Sequence, residues 1–231
     1  MTLRNILVVI SLALSIVIGV VLARGSGAAI GPAGTSKPRI GLSLDTLKEA
    51  RWQADRDLFV KRASELGAEV FVNSANSDDT RQVNDVQGLI SRGVDVMVIV
   101  PHDGLAMAKA VEICHAAKIP VIAYDRIIKN ADLDLYLSFD NEKVGELQAK
   151  YLVDHLPGGK GRIVRIYGAK TDNNAFQFKA GQDKVVKPLI ERGDIQVIHE
   201  DWAEDWKPEN AKRILNAAIT SKGKDFVAVL A

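Results

Sequence analysis

Cysteine is nearly absent from this chain: Cys114 stands alone, and an intrachain disulfide is therefore excluded. Its surroundings, AMAKAVEICHAAK, read as a helix, so Cys114 is expected to be a small buried hydrophobe. Histidine is also scarce. His102, His115, His155 and His199 are scattered without the paired spacing of a metal site, which leaves them ordinary core or surface roles and predicts no metal. No large charge of either sign is present. Thirty basic against 29 acidic residues give a net charge of +1, which removes the electrostatic case for a nucleic-acid or membrane-surface partner. Catalytic signatures are missing as well: there is no Gly-x-Ser-x-Gly elbow, no phosphate-binding P-loop and no His-Glu-x-x-His. Gly158, Gly159 and Gly161 form a turn without the strand-then-helix context of a phosphate cradle. These absences point to a binding protein rather than an enzyme, and no cofactor is expected.

Long uncharged runs occur only once. Ile6 to Ala23 contains no charged residue, with Arg4 before it and Arg24 after it. Two readings compete for residues 1–24. A cleaved signal peptide has a basic start, an apolar core of about 7–15 residues and small residues before the cut, and Val21-Leu22-Ala23 satisfies the last condition. A retained signal anchor needs roughly 18 or more apolar residues to span a bilayer, and the length of this run leans that way. Either way the rest of the chain is exported, to the periplasm or the outer face of the cytoplasmic membrane. Residues 25–37 (GSGAAIGPAGTSK) are rich in small residues and Gly, and read as a flexible linker.

From Pro38 onward, strand and helix patterns alternate. RIGLSL, AEVFVN, VDVMVIV and PVIAYD read as buried strands, and LYLSF as a shorter one. Between them lie helical patterns. One carries Leu58, Phe59, Ala63 and Leu66 along one side and stops at Gly67. Another, from Asp79 to Arg92, carries Val83, Val86 and Ile90, and a third spans Leu105 to Ala117. The pattern restarts after Asp140: helix Lys143–His155, strand RIVRIYG, helix Ala175–Arg192, strand IQVIHE, helix Pro208–Ser221 and a last strand DFVAVLA. Alternation of this kind predicts an α/β fold with parallel sheets and right-handed crossovers. The expected lobes are residues 38–140 and a shorter one at 141–231, with a cleft outside the carboxyl ends of their strands.

The residues just past each strand carry the chemistry. Arg51 and Trp52 follow RIGLSL, Asp125 and Arg126 follow PVIAY, and Asp172, Asn173 and Asn174 follow RIVRIYG. Trp202 and Trp206 follow IQVIHE. Charged and amide groups pair hydroxyls well, and flat indoles pack on the C–H faces of a pyranose, so the set suits a sugar. Structural roles compete for several of them. Arg51 can be a surface helix residue and Trp52 a core anchor. Asp125 and Arg126 can form a local salt bridge, Asn173 can be a helix cap, and Trp202 is expected to pack.

At these residues the sequence resembles the periplasmic D-xylose-binding proteins of bacterial sugar transport, within the ribose- and galactose-binding group of substrate-binding proteins. The resemblance covers Pro38 to Ala231. It is carried by EARWQADRDLFV, SRGVDVMVIVP, AYDR, SFDNEKVGELQAK, DNNA with the later AGQ, and the DW and WKPENA of DWAEDWKPENA. It implies a type I periplasmic-binding-protein fold, two Rossmann-like domains on a hinge closing over one monosaccharide, with an ABC transporter permease as partner. The ligand set it implies is Arg51, Trp52, Asp125, Arg126, Asn174 and Trp206, with Asn173 and Asp172 as lesser candidates. Some membrane-anchored members of this group signal to a sensor kinase, which is the alternative role. A transcription regulator of the same fold would need a helix-turn-helix before Pro38, where this chain has its apolar run. Family members continue past the position matching Val229-Leu230-Ala231, so the second domain is expected to be incomplete and sugar binding by the chain itself to be weak or absent.

Overall fold

The computed structural model describes residues 37–231. The signal or anchor segment and all of the linker except Lys37 lie outside the described residues. Eight strands form two separate parallel sheets. β1 (Arg39–Leu44), β2 (Glu69–Ser74), β3 (Val96–Val100), β4 (Val121–Tyr124) and β5 (Leu135–Leu137) make the first, in the order β2-β1-β3-β4-β5. β6 (Gly161–Tyr167), β7 (Ile195–Trp202) and β8 (Ala228–Leu230) make the second, in the order β7-β6-β8. The second order repeats the winding of the first three strands of the first sheet. Helices α1 (Ala50–Glu65), α2 (Asp79–Ser91), α3 (Ala108–Ala116), α4 (Asn141–His155), α5 (Asn173–Glu191) and α6 (Pro208–Lys222) connect them. Among the described residues, no helix is long and apolar enough to cross a membrane.

Burial on both faces explains the continuous apolar strands. Met97 and Ile99 of β3 face Val86 and Leu89 of α2 and Val111 of α3. Val98 and Val100, one residue out of step, face the opposite side, where they join Leu42, Leu44 and Trp52. The second sheet repeats the arrangement. Ile163 packs with Ala149 of α4 and Val186 of α5, while Val164 and Ile166 pack with Ile214 and Ala218 of α6. Each sheet with its flanking helices forms one lobe.

Three expectations need correction. The apolar side of α1 is not centred on its leucines: Leu58 is 65% exposed and Leu66 69%. At 100° per residue, Trp52, Phe59 and Ala63 fall within a narrow stripe, whereas Leu58 lies about 100° away from Phe59. Leu66 is past the last turn, at the C-cap. There Gly67 adopts φ +83°, and the N–H groups of Gly67 and Ala68 reach back to the carbonyls of Ser64 and Ala63, a Schellman closure. Second, α3 starts at Ala108 rather than Leu105, because Asp103 Oδ1 accepts the N–H groups of Leu105 (2.6 Å) and Ala106 (3.0 Å) and holds the chain in a turn. Third, α4 and α5 begin two residues early, at Asn141 and Asn173. Asp140 and Asp172 cap them, accepting from the N–H groups of Lys143 and Asn174 at 2.9 Å.

α4 and α5 meet backbone to backbone. A Cβ on Gly145 would lie 2.1 Å from the Phe178 carbonyl oxygen, and one on Gly181 would lie 1.9 Å from that of Glu142. Both glycines sit inside the matched stretches SFDNEKVGELQAK and AGQ, and close helix approach is the physical reason for them. Gly181→Ala is expected to lower stability by about 2 kcal/mol or more through forced helix separation. Gly88→Ala, in the interior of α2 where a new Cβ meets nothing within 4 Å, should raise it by about 0.5–1 kcal/mol. Urea unfolding of both variants beside the parent checks the pair of signs.

Candidate functional site

The carboxyl ends of the strands in both lobes converge on a cavity of about 810 Å³, inside the range of small-molecule sites. Its walls include Arg51, Trp52, Asp125 and Arg126 from the first lobe and Asn174 and Trp206 from the second. With Asp172, which also lines it, seven of the eight ligand candidates expected from the sequence are thus brought together. Asn173 is the exception. It is the first residue of α5 and is absent from the cavity wall. The capping role expected of it belongs to Asp172. Trp202 packs, as its competing reading had it, with ring centroids 4.8 Å from Tyr167 and 4.7 Å from Phe176.

Arg126 is the centre of the site. Its guanidinium is buried, with Nη1 donating to Asp45 Oδ2 at 2.8 Å and to the Pro101 carbonyl at 3.1 Å. Its Nε forms an ion pair with Asp172 Oδ2 at 3.0 Å, without the alignment of a good hydrogen bond. Three strand-end loops, after β1, β3 and β6, are therefore tied to one side chain that follows β4. The expected alternative of a local Asp125–Arg126 bridge does not form. Asp125 instead accepts from Arg51 Nη2.

Asp125 has a left-handed backbone, φ +64°, which Asp tolerates better than most residues. Its neighbours hold it there. The N–H of Asp125 bonds the Leu137 carbonyl at 2.8 Å. Its own carbonyl accepts from Ser138 Oγ at 2.6 Å and from Asn174 Nδ2 at 3.1 Å. The last bond crosses between lobes and leaves Asn174 Oδ1 buried without a partner among the described residues. An orphan acceptor costs about 1–3 kcal/mol, which a donor entering the cavity would recover.

The two indoles are held differently. Trp52 is 5% exposed and belongs to the core of the first lobe while also facing the cavity. The Arg51 and Arg126 guanidinium carbons lie 4.4 and 5.4 Å from its ring centroid, within cation–π range. Trp206 donates Nε1–H to Asp172 Oδ2 at 3.1 Å and meets Phe178 edge-on at 6.2 Å. Its ring rests on Gly168, where a Cβ would approach Cη2 to 2.0 Å. Only glycine permits that seat.

The carboxylates around Arg126 titrate in opposite directions. Burial works against the Asp45 anion, but the His102 contact and Arg126 outweigh it and hold Asp45 below the usual carboxylate value. At Asp172 burial wins over the Arg126 charge and pushes the carboxyl up. Sequence reasoning overlooked Asp45, although it is the first residue past β1, the position used to find the other rim residues. It also left His102 among the unremarkable histidines, whereas His102 is buried with Nδ1 3.1 Å from Asp45 Oδ1. A single histidine in the loop PHDG carries no spacing signal. Among the described residues no group of three or more His, Cys, Asp and Glu is arranged to hold a metal.

A model of the periplasmic binding protein domain matches residues 40–231. The D-xylose-binding periplasmic protein of Escherichia coli (strain K12) is 48% identical over 193 residues, covering 84% of this chain and 58% of that protein. The D-xylose-binding periplasmic protein of Haemophilus influenzae is 46% identical, with the same coverage of each. A solved carbohydrate transporter solute binding protein from Chloroflexus aurantiacus, in complex with D-glucose, is 31% identical with a TM-score of 0.75, over 81% of this chain and 62% of that one. The chain therefore spans 58% of the length of the curated relatives it matches. The match begins inside β1 and runs to the last residue, so both sheets and the cavity between them fall within it, and the chain belongs to the periplasmic binding protein domain family with the type I fold.

Proposed function

We propose that this chain binds a monosaccharide of the D-xylose type outside the cytoplasm, without catalysis, and delivers it to an ABC importer by hinge closure of the two lobes over the sugar. The observation that carries the reading is the cavity wall itself, in which side chains of both lobes, Arg126, Asp125 and Asn174 among them, converge beside two indoles. Each group does work a sugar needs. The half-exposed Arg51 and the orphan Oδ1 of Asn174 offer one donor and one acceptor to hydroxyls. Trp52 and Trp206 offer flat apolar faces to ring C–H groups. A ligand touching both lobes binds the closed form better and so shifts the population toward it. The two D-xylose-binding relatives favour a pentose over other small polyols.

A second reading is a membrane-anchored sugar sensor acting on a histidine kinase, favoured by the uncharged run from Ile6 to Ala23. Mass spectrometry of the mature N-terminus separates the two. A cut after Ala23 removes the anchored reading, and a retained run supports it.

Calorimetry of a full-length version, extended over the part of the relatives that this chain does not span, with a panel of pentoses and hexoses tests the leading reading; absence of binding heat with every sugar overturns it. Arg51→Ala is expected to weaken D-xylose binding about tenfold or more, the loss of one charge-assisted hydrogen bond, and to lower the melting temperature as well, because the buried Asp125 carboxylate loses its ion-pair partner. Asn173→Ala should leave affinity within about twofold, since a residue off the cavity wall contributes no contact. Gly168→Ala should lower affinity and shift tryptophan emission together, because the added methyl displaces the Trp206 ring.

A further inference from the structure

His102 is absent from the cavity wall, yet it stands where the two lobes meet. It follows β3 of the first lobe, and its backbone is pinned. Its backbone N–H bonds Gln82 Oε1 at 2.9 Å, and Gln82 Nε2 bonds the Val100 carbonyl at 2.9 Å. The two ring nitrogens face carboxylates of different lobes. Nδ1 lies 3.1 Å from Asp45 Oδ1, without the alignment of a good hydrogen bond, and Nε2 lies 3.9 Å from Asp205 Oδ1, an ion-pair distance beyond hydrogen-bond reach. Asp45 follows β1 and Asp205 follows β7. The side chains of His102, Asp45 and Asp205 are 11%, 5% and 20% exposed, so solvent screens these contacts weakly.

A neutral imidazole carries one N–H and one lone pair. With the proton on Nδ1, toward Asp45, the Nε2 lone pair confronts the Asp205 carboxylate and the contact between lobes is repulsive. With the proton on Nε2, the lone pair confronts Asp45 instead. Only the imidazolium attracts both carboxylates. We propose that His102 is a proton-operated latch between the lobes, a positioning residue whose protonation joins Asp45 to Asp205 and favours the closed form. The proposal rests on the hinge-closure reading for its link to sugar affinity.

The surrounding charges agree with this role. Asp79, at the start of α2, adds negative charge near the ring, and Asp103, next to His102 in sequence, acts in turn on Asp79. Arg126 holds the other oxygen of Asp45 at 2.8 Å, and Lys207 holds the other oxygen of Asp205 at 2.6 Å. The Asp45 contact, against burial and with help from Asp79 and Asp205, raises the imidazole above its usual value. A raised histidine contributes stabilisation that is fully present below its unfolded-state pKa and is lost as pH rises through the folded one. The latch therefore engages on acidification and releases toward alkaline pH.

Spin labels at Lys109→Cys on α3 and Lys212→Cys on α6, both exposed positions, read the lobe separation without ligand. Cys114 does not compete for label, because burial pushes its thiol up to about 12. Between about pH 8 and about pH 5.5 the distance distribution should move toward one compact population in the parent. His102→Gln and Asp205→Asn should each remove that movement. A distribution insensitive to pH in the parent, or an undiminished shift in either variant, overturns the latch. In parallel, D-xylose affinity should rise by roughly fivefold or more on acidification, the scale of an ordinary coupling between sites, and the rise should vanish in His102→Gln. Absence of D-xylose binding at every pH would count against the sugar reading, while the label distances still decide the latch.

Discussion

A guanidinium taken out of water must find anionic or carbonyl partners, and the architecture around the cavity answers to that need at Arg126. Asp45, Pro101 and Asp172 come from three different strand ends, and one of them belongs to the other lobe. Taking one partner from such a cluster leaves a buried charge unpaired, at a cost of about 3–5 kcal/mol. The two carboxylates on Arg126 are not equivalent. Asp45 shares its load with His102 and is held ionised, while Asp172, capping α5 and accepting from Trp206, is pushed toward its neutral form. The position of one indole and the start of one helix thus depend on a charge that follows β4.

Much of this arrangement is legible in the sequence, for reasons that are local. β3 reads as a strand because every residue of VMVIV is covered on one face or the other. The rim residues are found by asking which polar groups stand directly after strands, since parallel sheets present their carboxyl ends to ligands. That question retrieves Arg126 and Asn174 without any knowledge of their partners.

What stays hidden depends on contacts across long stretches of chain. Asp45 pairs with a residue 81 positions away, and nothing in SLDTL marks it as more than a strand-end carboxylate. His102 gains its character first from Asp45 and then from Asp79 and Asp205, all distant from it in sequence. The apolar side of α1 is misread because four hydrophobic residues suggest a face that Trp52, a turn and a half earlier, displaces. Helix starts shift by two residues where Asp140 and Asp172 cap, a geometry that depends on backbone turns rather than on composition.

The seat of Gly145 against Phe178, and of Gly181 against Glu142, bears on how the molecule can move. Two helices in direct backbone contact have no side-chain layer to slide upon, so shear between α4 and α5 is closed to this fold. Asn141 is fastened in the same way, its Nδ2 reaching Ser138 Oγ at 3.1 Å and Gln177 Oε1 at 3.2 Å. α4 begins where the chain leaves the first lobe, and α5 begins beside the cavity at Asn174. A pull on Asn174 is therefore carried through a stiff pair of helices to the crossing at Ser138–Asp140, the point among the described residues where the chain passes from one lobe to the other.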